Sequence, residues 1–336
     1  MTSQIYIQRL RSAMSERKFT EEQISACCEY SSILLSRDLP VLFDAQHVDK
    51  VLQLYKIDLN AYHTFTIPQT EKLRTITAPS RPLKHRQRWV LQEILSKVGI
   101  SEHAHGFEQG RSIKTNALLH ADSKYALCMD IKDFFPSIHY DSIANVFRSI
   151  GYSPSASRLL ANLCSYNKTL PQGAPTSPKL ANIIFKPLDE KLAAIAKEKS
   201  AIYSRYADDL TFSSDHDMNG IFDRVKQLLE SFGFYLNEEK IHSYGPDAPK
   251  RITGLVVQNG TVRVPKYFKR MLRQEIYYCL KYGVLTHLEN TKSVRFINYR
   301  EHLYGKAYFI NMVEPEEGKM YLEKLDQIEW PPNFIV

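Results

Sequence analysis

The sequence predicts an α+β fold, helical at both ends with its strands gathered in the middle. Three observations predict it. Apolar residues recur three and four apart from Ser3 to Leu54 and again after Pro265. Between Tyr62 and Val264 several short runs alternate or are continuously apolar, as strands are. Two of those runs end in carboxylates, Asp130 in one and the adjacent pair Asp208 and Asp209 in the other. At 336 residues the chain can bury a full core and divide into two or three subdomains.

In chain order, Ile5, Leu10 and Met14, then Ile24, Cys28 and Leu34, mark a helical N-terminal extension. "YHTFTIPQTEKLRTITAPS" is rich in β-formers and ends at the breaker pair Pro79-Ser80, which reads as a hairpin carrying Lys72 and Arg74. "PLKHRQRWVLQEILSKV" reads as a helix with cations in its first turns, where the helix dipole disfavours them unless an anion lies near. "KYALCMDIKDFF" fits a buried strand delivering Asp130 at its end. Helices follow over 140–150 and 177–199; Thr176 or Ser177 can cap the second, after the irregular "LPQGAPTSP". "YSRYADDLTFSS" is a hairpin, 219–232 an amphipathic helix, and "ITGLVVQNGTVRV" a further hairpin turning at Asn259-Gly260.

Composition narrows the function. A net charge of +7 suits a polyanionic partner. The five cysteines form no C-x-x-C pair, so neither a structural zinc site nor a disulfide scaffold is expected. No segment approaches eighteen uninterrupted apolar residues, so the expectation is an intracellular, soluble protein without a membrane span. An isolated Asp-Asp pair is usually a solvated turn. If the Asp130 strand and the hairpin lie side by side, however, three carboxylates meet at one sheet edge and require a compensating cation. Hard oxygen ligands favour Mg²⁺, and two such ions about 4 Å apart suit phosphoryl transfer.

"DIKDFFPSI", "LPQGAPTSPKLAN" and "YADD", in that order, resemble the palm motifs of reverse transcriptases, and the likeness runs from Arg74 to Val264. "NALLH" (116–120) and "ITG" (252–254) are similar to the N-A-x-x-H and V-T-G signatures of bacterial retron reverse transcriptases, with Ile252 in place of valine. The resemblance implies a right-hand polymerase with fingers, ferredoxin-like palm and helical thumb. The boundaries would be 1–54 for the N-terminal extension, 55–120 for the fingers, 121–264 for the palm with a fingers insertion around 150–180, and 265–336 for thumb and tail.

It also implies roles. Asp130, Asp208 and Asp209 would hold two Mg²⁺ ions, with the Ile131 carbonyl as a further ligand and Lys240 of "LNEEK" protonating pyrophosphate. Arg74 and Lys72 would hold the triphosphate, Gln172 the incoming nucleotide, Phe135 would block a ribose 2′-OH, and Tyr206 would pack near the primer end. The alternatives are a core aromatic for Phe135, a solvated face for Lys72 and a surface lysine for Lys240. Asn116, His120 and Thr253 would contribute to RNA recognition; packed or turn positions are the alternatives for His120 and Asn116.

From 241 to 313, twelve Lys and Arg face four acids, with tyrosines such as Tyr267, Tyr277 and Tyr299 interleaved. This reads as a thumb gripping nucleic acid, Arg270 and Arg273 included, with the acidic stretch around Glu314, Glu316 and Glu317 turned away. By resemblance, the partners are a cognate structured noncoding RNA, dNTPs, the branched RNA–DNA product msDNA, primed from a guanosine 2′-OH, and a separate effector protein of an antiphage system in the bacterial cytoplasm. A higher-order assembly is compatible with this. The competing readings are another bacterial reverse transcriptase of the group II intron type and a catalytically retired RNA-binding scaffold or antitoxin.

Overall fold

The computed structural model describes residues 3–69, 72–291 and 298–331. The chain opens with three helices, α1 (Ser3–Glu16), α2 (Glu21–Ser36) and α3 (Ala45–Leu52). Thr20 starts α2 with a capping box: its hydroxyl accepts from the Gln23 amide, and the Gln23 side chain accepts from the Thr20 amide. Leu34, Leu39, Leu42 and Val48 are buried, so the expected extension is docked on the main body.

The expected first hairpin is present as β1 (Tyr62–Gln69) paired antiparallel with β2 (Lys72–Pro79). The helix α4 (Arg81–Glu93) follows, turning Leu83, Gln87 and Val90 inward. Buried Gln87 donates to the Tyr62 hydroxyl and to the Leu163 carbonyl, at 2.9 Å each, locking α4 between the hairpin and a later helix.

After the short helix α5 (Ile113–Leu118) comes the central strand β3 (Tyr125–Asp130). Helices α6 (Tyr140–Ile150), α7 (Pro154–Cys164) and α8 (Ser177–Glu198) lead to β4 (Ile202–Tyr206) and β5 (Asp209–Ser214), and α9 (Ile221–Ser231) to β6 (His242–Tyr244). The sheet order β4-β5-β3-β6 with antiparallel neighbours is the ferredoxin-like arrangement. In α6, Ile143, Phe147 and Ile150 repeat at helical spacing and are all buried. Neither Thr176 nor Ser177 caps α8 through its side chain, contrary to expectation: Thr176 at the N-cap has helical φ and ψ rather than the extended backbone a capping hydroxyl needs.

The expected hairpin over 252–264 is a three-stranded sheet, β7 (Lys250–Ile252), β8 (Leu255–Gln258) and β9 (Thr261–Arg263). Asn259-Gly260 forms one turn, as the sequence indicates; Thr253-Gly254 forms the other, also with both φ angles positive. Helices α10 (Lys266–Tyr282), α11 (Val284–Thr291), α12 (Tyr299–Val313) and α13 (Pro315–Leu325) complete the described chain. A first core takes the N-terminal helices, α4 and the β3–β6 sheet with its helices. A second joins Ile252, Leu255 and Val257 to α10–α13, so the small sheet packs as part of the C-terminal helical unit. No described helix is long and apolar enough to cross a membrane.

Candidate active site

The two acidic runs meet because β3 and β5 are neighbours whose register sets Asp130 opposite Asp209. The β4–β5 hairpin closes with Tyr206 opposite Asp209, leaving Ala207 and Asp208 as a two-residue turn. The Ile131 amide donates to the Asp208 carbonyl at 2.9 Å, tying the turn to the end of β3. Carboxylate oxygens of Asp130, Asp208 and Asp209 lie within 4.8 Å of one another. That spacing and an all-oxygen donor set fit hard divalent cations.

Electrostatics point the same way. Burial, then the charges of Asp208 and Asp130, push the Asp209 carboxyl up to about 7, with Lys240 opposing in part. Lys240 donates to Asp130 Oδ2 at 2.9 Å, and this bond together with the three carboxylates holds its ammonium above the ordinary lysine range.

A stability prediction follows. With no metal bound, the folded chain keeps a proton on Asp209 that the unfolded chain releases near pH 4, so stability falls as pH rises from about 4 through 7 and stays low above. In EDTA at pH 8, Asp209→Asn is expected to melt higher than the parent, by about 2 kcal/mol after discounting for the open side of the cleft. Near pH 4 the two should coincide. Equal melting at pH 8 would show that the carboxylates do not strain the metal-free fold.

The carboxylates border a cleft of about 800 Å³ lined also by Phe107, Ile131, Phe135, Gln172, Tyr206, Asn237 and Lys240. Gln172 arrives there because Gly173 lies against β2: a Cβ on Gly173 would stand 2.7 Å from the Thr77 carbonyl oxygen. The Phe135 ring is half-buried, 5.5 Å from the Phe134 ring and 6.1 Å from that of Phe107. Lys72 and Arg74 fall on the strand β2, but their side chains lie outside the described residues.

Residues 60–296 match the family described as reverse transcriptase (RNA-dependent DNA polymerase). The Ec86 retron reverse transcriptase of Escherichia coli is 34% identical over 281 residues, which cover 81% of this chain and 87% of that one. The chain belongs to the retron reverse transcriptases. It is therefore an RNA-directed DNA polymerase. Two Myxococcus xanthus retron reverse transcriptases, Mx162 and Mx65, are each 33% identical; the matches cover 80% and 77% of this chain and 61% and 62% of those longer proteins.

In this retron reverse transcriptase, the family-signature residues His120 and Asn116 lie inside the fold. His120 is wholly buried behind the β4–β5 hairpin, its ring nitrogens 2.6 Å from Ser213 Oγ and 2.7 Å from Ser204 Oγ. Burial pulls its pKa down to about 3, so it stays neutral. Asn116 is likewise buried on α5. Neither side chain is exposed at the surface. Thr253 has φ of 46°, unusual for a β-branched residue, and its hydroxyl donates to the Ile113 carbonyl at 3.2 Å. It lines a small recess that also holds Asp130, Asp209, Lys240 and Arg251, next to the carboxylate cluster.

In the C-terminal unit of this reverse transcriptase, Arg270 and Arg273 are exposed on α10, as are Tyr267, Tyr277 and Tyr282. Two of the expected nucleic-acid contacts are engaged within the fold instead. Tyr299 is buried and donates to Glu275, so it offers no stacking surface. Lys269 is held by Glu314 and Glu317, at 3.0 and 2.6 Å, which removes it from the phosphate-binding set and makes that acidic stretch part of the fold. Lys292 and Arg295 lie outside the described residues. Sequence reasoning missed Phe107 and Asn237 in the cleft, and the buried ion pair of Arg205 with Asp189 behind it. A signal existed for that pair: Arg205 interrupts the β4 strand run with a charge, and Asp189 falls among the helically spaced apolar residues Phe185, Leu188 and Leu192.

Proposed function

We propose that this reverse transcriptase copies its own structured noncoding retron RNA, starts DNA at the 2′-OH of a guanosine in that RNA, and so makes branched msDNA from dNTPs. The observation that carries this reading is the cluster of Asp130, Asp208 and Asp209, intact at one sheet edge and open to a nucleotide-sized cleft. Those carboxylates, with the Ile131 carbonyl, hold two Mg²⁺ ions. Bound there, the ions would lower the pKa of the attacking hydroxyl and offset charge on the departing pyrophosphate. Gln172 contacts the incoming nucleotide, and Arg74 with Lys72 holds its triphosphate, for which a guanidinium fork is suited. Phe135 occupies the space a ribose 2′-OH would need, Tyr206 packs near the primer end, and Lys240 supplies a proton to pyrophosphate. Arg270 and Arg273 track the duplex backbone, while Asn116, His120 and Thr253 shape the RNA-recognising surface. The enzyme works in the bacterial cytoplasm, within an antiphage complex that includes a separate effector protein.

The test is to incubate the full chain with the RNA encoded beside its gene, dNTPs and Mg²⁺, and to analyse the product before and after RNase. DNA covalently joined to RNA is expected. Only unlinked DNA from an annealed primer would assign the chain to the group II intron type of priming. RNA binding with no DNA at all would make it a retired scaffold or antitoxin.

A further inference from the structure

Behind the acidic turn lies a polar assembly whose ion pair is closed off from solvent. Arg205 and Asp189 are both completely buried. Arg205 Nε and one terminal nitrogen donate to the two oxygens of Asp189, at 2.9 and 2.8 Å, in a fork-to-fork pair. Its other terminal nitrogen donates to Asn182 Oδ1 at 3.1 Å and to the Ala207 carbonyl at 3.0 Å. The guanidinium lies 4.5 Å from the centre of the Phe185 ring. Tyr203 adds a hydrogen bond to Asp189 at 2.8 Å.

The far side of the turn is also held. Residues 103–105 run beside β4: the Arg205 amide donates to the His103 carbonyl at 2.8 Å, and the His105 amide to the Arg205 carbonyl at 2.7 Å. Gly106 then passes so close that a Cβ there would stand 2.4 Å from the Ala207 nitrogen. The Gly106 carbonyl accepts from Asn182 Nδ2 at 2.9 Å, closing a loop of contacts around the turn. Ala207 itself has φ of 59°, a left-handed conformation costing a non-glycine residue about 1 kcal/mol. Something must impose it.

A buried ion pair is a poor source of net stability, because desolvation offsets most of its attraction, and an apolar pair of similar volume often serves as well. What it supplies is direction. We infer that Arg205, with Asp189 and Asn182, is a positioning residue that fixes the Ala207-Asp208 turn so that Asp208 is presented to metal in register with Asp130. Asp189 and Asn182 both belong to α8, the helix that begins just after the Gln172 loop. The same contacts therefore tie the metal-holding turn to the element that places the nucleotide. The inference rests on the metal-holding reading of the three carboxylates.

The experiment replaces the pair by apolar residues, Arg205→Met with Asp189→Leu, in the full chain, which conserves bulk and leaves no buried charge. Mn²⁺ alone is titrated into the metal-free protein and free ion is followed by electron paramagnetic resonance, alongside thermal melting, RNA binding and single-nucleotide incorporation. The double variant is expected to stay folded, melting somewhat lower because Tyr203, Asn182 and the Ala207 carbonyl lose these partners, and to bind RNA equally. Its Mn²⁺ affinity and kcat should each fall by about ten- to a hundredfold. Arg205→Lys, which keeps charge opposite Asp189 but lacks the planar fork, should shift Mn²⁺ affinity in the same direction. A folded double variant that binds Mn²⁺ like the parent would overturn the inference, as would unfolding of both variants, which would assign the pair to stability alone. A parent whose Mn²⁺ binding is indifferent to Asp208→Asn would instead remove the metal-holding reading beneath it.

Discussion

Replacing Asp208 by Asn is expected to lower nucleotide incorporation by about 10³- to 10⁴-fold, equivalent to ~4–5.5 kcal/mol of lost charge stabilisation. The change is close to isosteric, and the contact that anchors the turn to β3, from the Ile131 amide to the Asp208 carbonyl, involves only backbone. The turn geometry should therefore survive. What is lost is one of three anionic ligands, whose oxygens lie within 4.8 Å of one another. RNA binding should be almost unaffected, since the exposed cations Arg270 and Arg273 belong to the C-terminal helices and not to this sheet. Gel-shift affinity for the cognate RNA and single-turnover incorporation, measured on the same preparation, separate the two. Undiminished synthesis by Asp208→Asn would refute the metal-holding role.

Much of this site was legible because local pattern and global fold agree there. "YALCMD" is apolar and buried on a central strand, and the hairpin around Ala207 is flanked by strand-forming residues, so the carboxylates fall at strand ends where a sheet can gather them. The helix α7 was not anticipated within the expected fingers insertion; "PSASRLLANLC" is short, and its apolar face becomes evident only once Ala156, Leu160 and Leu163 meet a core. The second turn of the β7–β9 sheet was hidden for a different reason. Thr253 adopts a positive φ against its own preference, which tertiary contact imposes. His120 illustrates the limit most directly. The sequence leaves a contact and a packed position both open for it, because its partners Ser204 and Ser213 are 84 and 93 residues away and only the folded sheet brings them to it.

Lys240 offers the sharpest test of the proposed chemistry, because its charge and its proton can be separated by substitution. It ends a single turn of 3₁₀ helix whose start is pinned to β3 by the Asn237 amide donating to the Asp130 carbonyl at 2.8 Å. The side chain is 58% exposed, yet its ammonium bonds Asp130, so it reaches the cleft from solvent. The neighbouring carboxylates raise its pKa, so it remains protonated and able to donate across the neutral range and is lost as an acid only at higher pH. Removing a positioned general acid costs about 10²-fold or more in rate. Lys240→Met is therefore expected to reduce kcat by about that factor, without weakening Mn²⁺ binding, since a cation that competes for Asp130 has gone. Lys240→Arg keeps the positive charge but holds its proton too tightly to give it up, with a pKa above about 12. Its kcat should fall between those of the parent and Lys240→Met, because arginine restores electrostatic attraction for pyrophosphate and not proton transfer. Pre-steady-state incorporation across a pH series reads both effects: the parent should lose rate on the alkaline side, and the two variants should show a flatter profile there. If Lys240→Arg matched the parent in rate and in pH profile, Lys240 would be acting by charge alone, and the proton would have to come from water.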